Sequence, residues 1–185
     1  MAKGRFRKWI TDGEQLRRLQ LLKAVPLFTG LTRRQLGKLL VKLFEKEYRT
    51  GEAIFREGDP GNALFIVLDG KVAITHAADG VEKSLATLSA GTYFGELALI
   101  DDQPRFASAR ADEDSVLLIL YKSHFDQLIE GNKALAIRVM GNLLKAVAGY
   151  VRVVQARGSI RPAPPRPSAP AAAEQPPMPA ERGRR

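Results

Sequence analysis

The chain has 185 residues, enough for one domain with its own core plus appendages, and 45% of them are hydrophobic, a globular balance. It has no cysteine and only two histidines, His76 and His124, which excludes disulfides and thiolate chemistry and argues against a metal site. The net charge of +9 sits at the ends: residues 1–24 carry seven basic against two acidic residues, 159–185 five against two, and 25–158 seventeen against sixteen. A basic face on the folded centre, which nucleic-acid binding asks for, is therefore not expected.

The start, "MAKGRFRKWI", is basic but has no apolar h-region; its aromatic rings interleaved with charge suit a membrane surface or an acidic partner, and a flexible, solvated end is the reading preferred over that one. "TDGEQLRRLQLLKAV" then opens with Thr11 and has Glu14 three residues on, a capping-box spacing, so a short amphipathic helix is predicted over 12–24. "PLFTG" turns the chain and offers Leu27 and Phe28 as plugs for the base of a domain. Thr32 with Gln35 begins a second helix through Leu36, Leu39, Leu40 and Leu43.

From Tyr48 to Tyr121 short apolar runs are cut by Gly-Asp-Pro-Gly, Asp-Gly and Ala-Gly. Asp69-Gly70 and Asp79-Gly80 are hairpin signals, because glycine takes the positive φ of tight turns without strain. A third pair, "ASARA" and "SVLLILY", flanks Asp112–Asp114. Strands at this spacing predict a mainly β fold, an antiparallel sandwich or jelly roll. Helices return with "KSHFDQLI", where Ser123 is the expected N-cap. A long helix follows from Lys133, with Ala136, Met140, Leu143, Val147, Tyr150 and Val154 in one row and Ile137, Leu144 and Val151 in another. So wide a stripe packs on the sandwich or on a second copy of itself, through 133–157. No uninterrupted apolar run reaches about 18 residues, so no spanning segment is expected, and the chain is expected to be cytoplasmic. Residues 158–185, with eight prolines after Gly158, are expected to be a disordered tail.

The chemistry concentrates in "FGELALIDDQPRFASARA", Phe94 to Ala111, a mostly apolar stretch holding Glu96 and Arg105. Charged groups among residues that favour burial pair with each other or face a ligand. A glycine turn leading into a short helix, limited by Pro104, presents backbone N–H groups to an anion. Arg105 adds a guanidinium that forks onto two phosphate oxygens, and Glu96 an acceptor for hydroxyl donors. Together they describe a pocket for a sugar phosphate.

The sequence Phe94-Gly95-Glu96-Leu97-Ala98-Leu99-Ile100 followed by Pro104, Arg105 and Ala107 resembles the phosphate-binding cassette of the cyclic nucleotide-binding domain family. That family includes the regulatory subunits of protein kinase A and the catabolite activator proteins. The similarity extends to "PLFTGL", "YRTGEAIFREGDPGNALFIVLDGKVAI" and the trailing helices, about 25–157 in all. It implies an eight-stranded β-roll between an N-terminal helical bundle and two C-terminal helices. It further implies a site of Gly95, Glu96, Leu97, Ala98, Arg105, Phe106 and Ala107: Glu96 on the ribose 2′-OH, Arg105 on the cyclic phosphate, and the amides of Gly95, Ala98 and Phe106 on further phosphate oxygens. Tyr150 either caps the purine or belongs to the packed stripe. The residue after the arginine is usually Ala in cAMP sites and Thr or Ser in cGMP sites. Phe106 offers no side-chain hydrogen bond to guanine, which favours cAMP over cGMP.

The implied function is a regulatory module that binds cyclic nucleotide, requires no metal, and relays binding to a protein effector through its last helix. A scaffold with a silent pocket is the alternative. A catabolite-activator-type regulator would need a recognition helix beyond the long helix, where this chain has only its proline-rich segment, so sequence-specific DNA binding by this chain alone is not expected. No P-loop, nucleophile–base pair or dinucleotide fingerprint points to an enzyme.

Overall fold

The computed structural model describes residues 12–78 and 81–156. The Thr11 half of the first capping box, the Asp79-Gly80 turn, the basic start and the proline-rich tail lie outside the described residues. The chain divides into two compact units, Met1–Gly149 and Tyr150–Arg185.

The first unit begins with α1 (Asp12–Ala24), a 3-10 turn (Pro26–Phe28) and α2 (Arg33–Leu40). Thr32 and Gln35 close the expected capping box on α2, the Thr32 hydroxyl accepting from the Gln35 amide at 3.2 Å and the Gln35 side chain accepting from the Thr32 amide at 2.9 Å. α2 stops at Leu40, so Leu43 lies outside it, and β1 (Phe44–Tyr48) starts before the β region expected from Tyr48. The remaining strands are β2 (Ala53–Phe55), β3 (Ala63–Asp69), β4 (Lys71–Ala78), β5 (Val81–Ser89), β6 (Tyr93–Phe94), β7 (Ser108–Ala111) and β8 (Ser115–Tyr121). They form two four-stranded antiparallel sheets, ordered β1-β8-β3-β6 and β2-β7-β4-β5, the predicted eight-stranded roll.

Two expected hairpins are corrected by this order. β3 and β4 lie in different sheets, so Asp69-Gly70 is a corner between sheets, and β7 and β8 likewise change sheet across Asp112–Asp114. Gly70 is needed at its corner: φ is +83° and an added Cβ would stand 2.4 Å from the Asp114 carbonyl oxygen. β4 and β5 do pair as a hairpin, up to Ala78 opposite Val81.

The two central strands of the first sheet, β8 and β3, are buried on both faces, which explains why they are near-continuous apolar runs. Leu64, Ile66, Leu118 and Leu120 face a helical layer with Leu22, Leu27, Phe28, Leu36 and Phe125, so Leu27 and Phe28 are core residues as expected. Phe65, Val67, Leu117 and Ile119 face inward with Val72, Phe94, Ala109 and Ala111. Arg18 of α1 and Glu45 of β1 form a buried ion pair that ties the helical layer to the sheet edge.

α3 (Lys122–Glu130) begins one residue before Ser123, with Tyr121 as its N-cap and no side-chain cap bond, which corrects the cap assignment. α4 spans Lys133–Ala156. Its core row is Leu135, Val139 and Leu143; Ile137 and Leu144, 76% and 70% exposed, point to solvent. The expectation that no segment reaches spanning length is also corrected. Lys133–Val153 is long and apolar enough to cross a membrane, with a mean hydropathy of 1.3 in its most apolar window. Yet Leu135, Val139 and Leu143 are used in the core of this fold.

Candidate functional site

β6 ends at Phe94, and Gly95 follows with φ +74° and ψ +18°, in the left-handed region. That turn starts a 3-10 helix over Glu96–Leu99, the short helix expected before Pro104. The chain then crosses to Pro104, which bridges Pro60 in an antiparallel contact. Beside it, Arg105 N–H donates to the Asp59 carbonyl and Gly58 N–H to the Arg105 carbonyl, both at 2.8 Å. The 56–60 turn thus holds the cassette on its outer side.

The Arg105 side chain runs inward and is 8% exposed for the whole residue. One terminal nitrogen donates to the Ala63 carbonyl at 2.8 Å and the other to the Gly95 carbonyl at 3.2 Å. The guanidinium lies over the Phe55 ring at 4.3 Å and within 5.7 Å of the Phe65 ring. Its Nε is buried and has no hydrogen-bond partner. Two of five N–H groups are therefore used on carbonyls, and the rest form an under-satisfied donor set. Burial pushes the guanidinium below its ordinary pKa, and the charges of Glu96 and Asp59 only partly restore it.

Glu96 is 4% exposed and makes no hydrogen bond or ion pair with any described residue. The two buried charges therefore do not form a salt bridge with each other. Each retains unused capacity, one as acceptor and one as donor, and of the two it is the Arg105 Nε that is fully enclosed without a partner, which is costly unless another group meets it. Burial, and then the Glu96 charge, raise the Tyr93 hydroxyl above its ordinary pKa.

Backbone donors add to the set. Phe106 and Ala107 donate their amides to no acceptor among the described residues. The Ala98 amide, expected to face a ligand, turns back onto the Gly95 carbonyl at a long 3.3 Å. The Leu97 carbonyl accepts from the amides of Ile100 and Asp101 and closes the helix. Ala98 and Ala107 are buried, while the Phe106 side chain is 65% exposed. Tyr150 falls in the second compact unit and is partly exposed. Sequence reasoning passed over Asp59, Ala63 and Phe55, whose part in the site is a carbonyl or a ring face and carries no motif. Among the described residues no group of three or more His, Cys, Asp or Glu side chains could hold a metal.

The sequence profile of the cyclic nucleotide-binding domain matches residues 45–132, which includes the whole cassette. The chain is 41% identical over 110 residues to the cyclic AMP receptor protein of Thermus thermophilus, a match covering 58% of this chain and 50% of that one. It is 36% identical over 133 residues to human cGMP-dependent protein kinase 2, covering 70% of this chain and 16% of that one. Among solved structures, the regulatory domain of Toxoplasma gondii PKA with cAMP superposes with a TM-score of 0.62 at 28% identity, covering 65% of this chain and 46% of that one. The chain spans half or less of the length of these relatives. Roll, cassette and profile agree: residues 45–132 match the cyclic nucleotide-binding domain family, whose domains are regulatory.

Proposed function

We propose that this chain is a sensor module that binds cAMP in the cassette and passes the event to a partner through α4. The observation that carries the reading is the pair of buried, mutually unpaired charges, Arg105 and Glu96, on either side of the Gly95 turn. A cyclic phosphodiester supplies the acceptor that the Arg105 Nε and the free Phe106 and Ala107 amides lack. The ribose 2′-hydroxyl supplies the donor that Glu96 lacks. Leu97 and Ala98 shape the wall. The relatives include both cAMP- and cGMP-named proteins, and Phe106, without a hydroxyl, favours cAMP.

The relay uses a differential affinity: nucleotide shifts α4 only as far as it binds one arrangement more tightly. The exposed Ile137 and Leu144 stand seven residues apart on α4, the spacing of a coiled-coil seam. The partner proposed for this face is a second copy of the chain, and the effector is a further protein.

Calorimetric titration of the full chain with cAMP and cGMP tests the reading. Removing the charge in Arg105→Ala leaves a desolvated phosphate without its partner and should cost about 2–5 kcal/mol of binding. Equal binding by the parent and Arg105→Ala would refute it, as would a melting temperature unmoved by cAMP, since ligand at 100 times its Kd stabilises by about 2.7 kcal/mol.

A further inference from the structure

His76 lies on β4, and the β4–β7 ladder runs from Val72 opposite Ala111 to Thr75 opposite Ser108 and then stops. One residue further the partner chain is the cassette, which leaves the sheet to enter the site. Side chains replace the ladder there. His76 Nδ1 stands 3.0 Å from the Phe106 carbonyl oxygen and 3.1 Å from Glu57 Oε2. Both partners are acceptors, so the hydrogen sits on Nδ1 and is shared between them. The same Glu57 oxygen accepts from the Ala77 amide at 2.9 Å, and the Glu57 amide donates to Ser108 Oγ at 2.9 Å.

Peptide planarity gives this bracket a consequence inside the site. The described peptides are trans, so each C=O points opposite the N–H of its own peptide unit. Gly58 draws the Arg105 carbonyl outward, which turns the Phe106 N–H the other way. His76 draws the Phe106 carbonyl outward, which turns the Ala107 N–H away from the bracket. Neither of these amides has an acceptor among the described residues.

We propose that His76, oriented by Glu57, is a positioning residue for anion binding: its Nδ1–H fixes the Phe106–Ala107 peptide plane and so aims the Ala107 amide at the bound phosphate. The affinity part rests on the nucleotide-binding reading above; the backbone part stands without it. His76 does not touch the ligand and acts through the peptide.

The test compares the full-length parent, His76→Ala, His76→Asn, His76→Gln and Arg105→Ala. Asparagine places an N–H donor two bonds from Cβ, where Nδ1 is, and glutamine does not. Titrated with cAMP, His76→Ala and His76→Gln should bind about three- to tenfold more weakly, the worth of one hydrogen bond, and His76→Asn should return to within about twofold of the parent. In ligand-free protein, 15N spectra and amide exchange should show Ala107 perturbed in the Ala and Gln variants and parent-like in the Asn variant. Parent-like binding and exchange by His76→Ala would overturn the proposal, as would a folded His76→Asn that behaves as His76→Ala. If neither the parent nor Arg105→Ala binds cAMP, the nucleotide reading fails, and the amide measurements alone still decide whether His76 sets the peptide.

Discussion

Replacing Gly95 by alanine separates two costs that most glycine substitutions mix. Gly95 and Gly91 are both left-handed, with φ of +74° and +86°. Around Gly91 an added Cβ meets nothing within 4 Å, so Gly91→Ala reports the backbone term alone, about 1–2 kcal/mol. At Gly95 the same Cβ would lie 2.7 Å from an Arg105 terminal nitrogen and 3.2 Å from the Ala63 carbonyl oxygen. The guanidinium must move, and its bonds to the Gly95 and Ala63 carbonyls, at 3.2 and 2.8 Å, are what hold it. Hydrogen bonds from a charged donor contribute about 1.5–3 kcal/mol each, so losing the longer alone adds about 1.5 and weakening both adds about 3. Gly95→Ala should therefore be about 1.5–3 kcal/mol less stable than Gly91→Ala in urea unfolding, and its cAMP affinity should fall with the displaced guanidinium while Gly91→Ala binds as the parent does. Unfolding free energies equal within the extrapolation error of about 10–15% would show that Arg105 is not held by Gly95, and the reasoning would fail.

Four further outcomes are expected. Arg18→Ala strands the buried Glu45 carboxylate and should lower unfolding free energy by about 3–5 kcal/mol, whereas Arg18→Met with Glu45→Leu should recover most of it; calorimetry decides. The Asp114 carboxylate accepts from the Thr50 amide and hydroxyl, both at 2.8 Å, which holds its pKa below the ordinary carboxylate value. Its contribution is present above about pH 4 and lost as pH falls through the depressed value, so Asp114→Asn should flatten the acid limb of urea midpoint against pH. Phe106→Thr should narrow the preference for cAMP over cGMP in paired titrations, because a hydroxyl then reaches the guanine amine. Leu144→Glu should shift the chain toward monomer in analytical ultracentrifugation, with the monomer's melting behaviour kept, since Leu144 is exposed.

The parts of this molecule that could be read from sequence are those where one residue type answers one local need. Thr32 and Gln35 cap α2 because an orphan amide three residues on needs an oxygen, and that spacing is visible in a string. The cassette is visible for the same reason: glycine for a left-handed turn, proline to stop a helix and arginine for an anion lie within eleven residues. Asp69-Gly70 shows the limit. Its local conformation is legible, with φ positive at Gly70, but the same turn serves a hairpin or a corner between sheets, and only the pairing of β3 with β8 decides. The row of α4 that enters the core was equally hidden, since Leu135, Ile137 and Leu144 are alike in type and differ only in what lies opposite. His76 is the strongest case. As a lone histidine on a strand it has no motif, and its importance comes from standing one step past the last ladder pair, where Phe106 has turned away from the sheet. Function in this site depends on peptide planes as much as on side chains. Peptide planes are set by partners distant in sequence, Gly58 for one carbonyl and His76 for the next, so the charge-bearing half of the pocket can be read from its motif while the half that aims the amides appears only once the chain is folded.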